Sequence, residues 1–300
     1  MFVRVLGSAA GGGFPQWNCG CANCAGVRSG AVRALPRTQE SIAVSADRER
    51  WVLLNASPEI RGQIEAFPKL HPRGPRDSPI SAIVLTNGDL DHCLGLLSLR
   101  ESHPLEVFAT RAVEEGFREG NVLYRTMERF EGQVRWRRLT LEQPVELPGG
   151  LELTAWGAPG KLPLHLADRR SPSAEDNLGL LLRERGKPAS LAYLPALGRV
   201  GDRERQAAAE ARCVFLDGTF WSSDELRKVD PRAPLAEAMA HQPVGGPRGS
   251  LAALSGSSAP HRFLIHVNNT NPLLRDESPE RAAARAAGWE VAWDGMELTL

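Results

Sequence analysis

The sequence has no surplus of either charge: 36 Lys and Arg residues meet 36 Asp and Glu in 300 positions. It also lacks a basic stripe, which argues against nucleic acid as a partner. No apolar run approaches the length of a membrane span. The opening MFVRVLGSAAGGG turns to glycine where a secretory h-region would continue, so it does not read as a signal peptide. A soluble, cytoplasmic protein is expected. Cysteine is scarce and odd in number: Cys19, Cys21, Cys24, Cys93 and Cys213. Without an export signal, five cysteines argue against a disulfide framework. There is no repeat at a fixed short period. The Gly-rich LGSAAGGGFPQW (6–17) has no G-x-G-x-x-G leading into a helix, which argues against a dinucleotide site. Its glycines fit tight turns or close backbone approach to a ligand.

What is present is a succession of strand-like runs. FVRVLG (2–7), SIAVS (41–45), WVLLNA (51–56), SAIVLT (81–86), LEVFAT (105–110), LELTAWG (151–157), LGLLLRE (178–184), SLAYLP (190–195), CVFLDG (213–218), RFLIHV (262–267) and WEVAWDG (289–295) are bounded by turn residues. SIAVS-ADRER-WVLLNA reads as a hairpin. Helical patterns fall between the strands: CLGLLSLRES, TRAVEEGFREG, DRERQAAAEA and SPERAAARAAG. In the last, Ser278 is the expected N-cap, Pro279 the first helical residue and Gly288 the stop. Hairpins early and alternating strands and helices later predict an α/β protein of two mixed β-sheets with helices outside, an αββα sandwich, in a single domain spanning 1–300.

Two constellations carry chemistry. In the first, polar residues sit where strands end: Asp89, Asp91 and His92 after SAIVLTN, Asp217 closing CVFLD, and His266 in RFLIH. Strand ends of a layered α/β protein converge on one edge, where ligands bind. Asp91, His92, Asp217 and His266 together suit a divalent transition metal such as iron, zinc or manganese. The plain alternatives are helix capping for the Asp-Leu-Asp-His run, a turn for Asp217 and a satisfied strand-end histidine for His266. The second constellation is CGCANC (19–24), whose C-x-C-x-x-C spacing lets Cys19, Cys21 and Cys24 face one metal, zinc being the natural choice for thiolates. This loop, at about 18–25, is expected to be structural. Its fourth ligand must come from elsewhere in the chain, with Asn269 and His241 as candidates. Cys93 and Cys213 lie in apolar contexts and read as buried hydrophobes. His71, His103 and His261 read as solvated.

The stretches LGSAAGGGFPQWNCGCANC, RTQESIAVS, NASPEIRGQ, LDHCLGLLSLRE, DNLGL, FLDGTFW, GGPRGSL, IHVNNTNPLL and WDGMEL resemble, over essentially the full length, the coenzyme PQQ synthesis protein B family of the metallo-β-lactamase fold. The resemblance implies a bacterial cytoplasmic protein in the making of pyrroloquinoline quinone (PQQ), a redox cofactor built from Glu and Tyr. The activity it implies is iron- and O2-dependent hydroxylation of a tyrosine-containing precursor. Hydrolases of the fold carry H-x-H-x-D-H, and here that register reads Asn87-Gly88-Asp89-Leu90-Asp91-His92. The first two histidines are replaced, so one metal is expected, held by Asp91, His92, Asp217 and His266, and two-metal hydrolysis is disfavoured. The expected cofactors are Fe(II) at this site and Zn(II) at the cysteines. The expected partner is the small Glu/Tyr-derived precursor, with Arg61, Lys161 or Arg248 available for its carboxylates. Two other readings stand beside this one: a carrier of finished PQQ and a residual metal-dependent hydrolase. The oligomeric state is open.

Overall fold

Near-continuous burial of the apolar residues along the central strands gives each sheet two apolar faces, and both must be covered. The computed structural model describes residues 1–101 and 103–300. Among these, the strands are β1 (Phe2–Gly7), β2 (Ser41–Ser45), β3 (Trp51–Leu54), β4 (Ile80–Val84), β5 (Leu105–Ala109), β6 (Val134–Arg138), β7 (Pro144–Leu147), β8 (Leu151–Gly157), β9 (Leu178–Glu184), β10 (Ser190–Leu194), β11 (Cys213–Asp217), β12 (His261–Ile265), β13 (Glu290–Val291) and β14 (Glu297–Thr299). The helices are α1 (Ala22–Ser29), α2 (Ile60–Glu65), α3 (Leu90–Cys93), α4 (Arg111–Glu119), α5 (Asp202–Glu210), α6 (Ser250–Ala253) and α7 (Pro279–Ala286).

One sheet has the order β14-β1-β2-β3-β4-β5-β6 and the other β13-β12-β11-β10-β9-β8-β7. Both are mixed: β3 to β6 run parallel, as do β10 to β13, and the remaining pairs are antiparallel. Val5, Ile42, Leu54 and Val84 from the first sheet meet Leu153, Leu180, Tyr193 and Phe215 from the second in a core with almost no solvent exposure. The outer face of the first sheet is covered by residues such as Ile60, Leu96, Val113 and Phe117. The outer face of the second is covered by residues such as Ala207, Ala284 and Trp289. This is the αββα sandwich expected from the sequence. Cys213 lies in the inter-sheet core and Cys93 under the first sheet's helices, and burial pushes both thiols up. No helix among the described residues is long and apolar enough to cross a membrane.

Four expectations need correction. CLGLLSLRES is not one helix: α3 gives way to a 3-10 turn over Leu94–Leu99. The reason is Gly95, whose N–H donates to Ala56 O at 2.9 Å. A Cβ there would sit 2.2 Å from Ser57 O, so the segment is pressed against backbone and cannot wind as an α-helix. WEVAWDG supplies only a two-residue strand. Its remainder crosses to the first sheet, where Asp294 accepts from Ser8 Oγ and Thr38 N. CGCANC is not wholly loop, because Cys21 caps α1 and Cys24 lies within it. His261, expected in solvent, is a half-buried residue of β12.

Candidate metal centre

The carboxyl ends of β3, β4, β11 and β12 meet on one edge of the sandwich. Beyond β4, Asn87 Oδ1 accepts from the Asp89 N–H at 3.0 Å, which starts α3. Asp89 occupies the N-cap position but makes no side-chain cap bond, so helix capping does not explain it. One turn of α3 turns Asp91 and His92 toward the second sheet. At the ends of β3 and β12, Asn55 and His266 have φ values of 64° and 59°. That left-handed conformation is uncommon away from glycine and is held here by the surrounding hydrogen bonds. The Gly-rich loop follows the same edge. Its backbone is tied to Val267, and Gly11 lies against Asp91, where a Cβ would be 3.2 Å from the carboxylate.

His92 Nε2 lies 3.2 Å from His266 Nε2, which in turn lies 3.2 Å from Asp91 Oδ2. Thr219 Oγ1 donates to Asp217 Oδ1 at 2.5 Å, so it accepts from His266 Nδ1 at 2.8 Å. That contact fixes the His266 tautomer and leaves Nε2 facing inward. Asp217 Oδ2 accepts from the Leu197 N–H at 2.7 Å and from His241 Nδ1 at 2.6 Å. Among the described residues, two overlapping groups have ligand atoms within 4.8 Å of one another: Asp91, His92 and His266, and Asp217, His241 and His266. The four residues expected from the sequence are therefore neighbours, with His266 common to both groups.

Electrostatics separate the two buried imidazoles. Burial holds His92 down to about 4, although Asp91 opposes it. Burial also disfavours charge on His266, but the hydrogen bond to Asp91 and the charges of Asp91, Asp217 and Glu40 outweigh it and raise its pKa. Asp91 and Asp217 are lowered. Burial works against both anions, and the adjacent imidazoles overcome it. Neutral His92 beside two carboxylates is the ionisation state that a transition metal requires of its ligands.

The site opens into a cavity of about 400 Å³ lined by Asp89, Asp91, His92, His241 and His266, with Phe220 and Met239 on its walls and Leu164 among its other lining residues. Lys161 is the one Lys or Arg lining it among the described residues. Arg61 and Arg248, the other carboxylate-binding candidates, are exposed and do not line it. A larger groove of about 970 Å³ runs past Cys21, Asn23, Lys228 and Arg275 and contains none of the imidazole or aspartate ligand candidates.

The cysteines form a third group, with Cys19, Cys21 and Cys24 sulfurs within 4.8 Å. The side-chain amide of Asn269 points among them, at 3.1, 3.8 and 3.4 Å from the three sulfurs in that order. His241, the other candidate for this group, is hydrogen-bonded to Asp217 instead. Burial pushes Cys24 up to about 11. For Cys21 burial acts the same way, but N–H donors at the start of α1, Cys24 first, reverse it and lower the pKa.

Sequence reasoning missed the place of His241 beside Asp217, because AHQP ends no strand. It also missed the residues beneath the ligands: Glu40, Asn55, Thr86 and Thr219. Asn55 and Thr219 are polar residues at strand ends, whereas Glu40 lies inside RTQESIAVS, a stretch that carries the family resemblance but gives Glu40 no role of its own.

Comparison with known proteins gives one consistent family. The Beta-lactamase superfamily domain matches residues 50–267. The chain is 46% identical over 304 residues to coenzyme PQQ synthesis protein B of Pseudomonas paraeruginosa and 45% identical over 303 residues to that of Azotobacter vinelandii, with all of both chains covered in each case. The crystal structure of Zn(2+)-bound PqqB from Methylobacterium extorquens superposes with a TM-score of 0.94 at 42% identity, again over the whole of both chains. A diphosphatase from the PhnP family, at 21% identity and a TM-score of 0.68, shares the fold. Full-length identity of this order, joined to the same sandwich, means that the chain belongs to the coenzyme PQQ synthesis protein B family within the metallo-β-lactamase superfamily.

Proposed function

We propose that this protein hydroxylates the ring of a tyrosine-containing, carboxylate-bearing precursor of PQQ, using O2 and one iron(II) held by Asp91, His92, Asp217 and His266. The observation that carries the reading is the pairing of Asn87 with Asn177. Asn87 stands in the register of the first hydrolase histidine, and its Nδ2 donates to Asn177 Oδ1 at 3.2 Å. A donating amide nitrogen has no lone pair to offer a cation, which disfavours a second metal beside the first. The remaining donors, imidazole nitrogens and carboxylates around a cavity, suit a mononuclear iron site with open positions.

Iron(II), when bound there, would supply the one-electron chemistry with O2 that ring hydroxylation needs, one oxygen atom entering the ring and the other leaving as water at the expense of two electrons and two protons from an external reductant and solvent. The protein's own groups orient the substrate. Lys161 draws a carboxylate to the rim, Phe220 and Met239 offer apolar surface to the ring, and the cavity walls limit water around it. The three cysteines hold zinc as a structural clip on the N-terminal segment, and Asn269, whose amide nitrogen faces the sulfurs, joins them as fourth ligand only by turning its oxygen inward. The relative from Methylobacterium extorquens is zinc-bound, which supports metal binding in the family.

The test is anaerobic purification, loading with Fe(II), and oxygen-18 incorporation into a tyrosine-containing precursor. His92→Ala and His266→Ala should each lose iron and turnover while staying folded. Metal-dependent cleavage without O2 would favour a hydrolase, and tight binding of PQQ without turnover would favour a carrier.

A further inference from the structure

Glu40 is fully buried at the floor of the site, with 0% exposure, and none of the arginine or lysine ion pairs among the described residues includes it. Its Oε2 accepts from Asn55 Nδ2 at 2.8 Å and lies 3.7 Å from His92 Nδ1, while its Oε1 has no hydrogen-bond partner. Asn55 cannot turn its amide around, because its Oδ1 accepts from the Thr86 N–H at 2.9 Å and from the Thr86 hydroxyl at 3.0 Å. Its nitrogen therefore faces both Glu40 and His92, the latter at 2.7 Å, with one hydrogen for each.

This arrangement has a chemical consequence. If Asn55 donates to His92 Nδ1, the ring proton sits on Nε2 and points at the inward Nε2 of His266, 3.2 Å away. A metal held by Asp91, His92 and His266 needs His92 Nε2 bare, so the proton must move to Nδ1. The Asn55 NH2 group cannot accept it there. Thr86 Oγ1, 3.2 Å from Nδ1, is a neutral acceptor. Burial raises Glu40 to about 8, but its Oε2 can accept in either ionisation state and its Oε1 is unpartnered, and a carboxyl group behind a metal-bound histidine is the stronger partner once the ion's charge favours its ionised form.

Building on the single-metal reading above, we infer that Glu40 is a positioning residue that accepts the Nδ1 hydrogen of His92, through a small shift of Asn55, and thereby holds Nε2 free for the ion. Glu40 touches neither substrate nor metal; it acts through the histidine tautomer.

The experiment uses Co(II) as probe, with the cysteine site preloaded with zinc, and follows the visible cobalt spectrum under chelator competition. Glu40→Gln keeps the volume and removes the carboxyl group, and it should weaken Co(II) binding by about 10- to 100-fold. A second measurement needs no variant: two-dimensional proton–nitrogen spectra of zinc-loaded wild-type protein should show His92 protonated on Nδ1, and the metal-free protein should show it on Nε2. Equal Co(II) affinity in Glu40→Gln, or a zinc-loaded His92 still protonated on Nε2, overturns the inference. His92→Ala separates it from the reading beneath it. If Co(II) uptake depends on His92 and not on Glu40, only the inference fails; if uptake ignores His92, the single-metal site fails with it.

Discussion

His241 Nδ1 donates to Asp217 Oδ2 at 2.6 Å while its ring stacks on His266, with centroids 5.6 Å apart and 23° between the planes. One side chain thus steadies two of the expected metal ligands. His241→Ala should lower affinity for Fe(II) or Co(II) by about tenfold or more. The ring sits at the cavity edge, so the melting temperature of the metal-free protein should change little. Metal titration beside a thermal melt checks both, and an unchanged affinity would show that Asp217 needs no such support.

Cys21→Ser should lower zinc content and thermal stability together. The thiolate is lost from a three-sulfur group that joins α1 to the Asn268–Asn271 segment, where Cys21 Sγ also lies 3.8 Å from Asn269 O. A drop of about 5 °C or more is expected if the metal contributes a few kcal/mol to folding. A variant that keeps zinc and melting point but loses turnover would make the site catalytic.

Asp89→Ala should retain the iron. Asp89 lines the cavity but belongs to neither of the groups with ligand atoms in common reach. Burial raises its pKa, and the charge of Lys161 partly offsets that. The expected loss is in substrate binding, with a parallel rise in KM for Lys161→Met. Wild-type protein carrying two metals at this centre, one of them lost in Asp89→Ala, would reinstate two-metal hydrolysis.

Glu225 gives a pH prediction. It is 2% exposed, and burial pushes it up to about 7 even though it accepts from Thr270 Oγ1 and the Trp221 N–H. In the unfolded chain it titrates near 4.5. Between these values the folded state holds a proton that the unfolded state gives up. Its contribution is fully present below pH 4.5 and is lost as pH rises to 7, a change on the order of 3 kcal/mol. Glu225→Gln should remove that slope, so the stability difference between variant and wild type should move in the variant's favour across this window. A stability difference between the two proteins that stays constant from pH 4 to 8 would contradict it.

The apolar strands were legible because each carries its own packing. LELTAWG and LGLLLRE form β8 and β9 with the boundaries read from the sequence. The strands that escaped notice, β6, β7 and β14, are short or polar edge elements whose order comes from a neighbour rather than from their own residues. VRWRR is a strand because it pairs in register with LEVFA. The same distinction runs through the site. Asp91, His92, Asp217 and His266 follow strands that announce them, whereas His241 and Glu40 acquire meaning only from residues 24 and 52 positions away in sequence.

Asp91 and His92 are carried by the first sheet, Asp217 and His266 by the second, and Asn87 and Asn177 form a backbone bridge between the two. Neither half owns a complete set of ligands. A partly folded chain in which the sheets have formed but not docked would offer a cation only half the donors, so tight capture would report docking itself. An ion seated across that seam would resist separation of the halves, and its grip would set how far the two sheets can slide or breathe against each other.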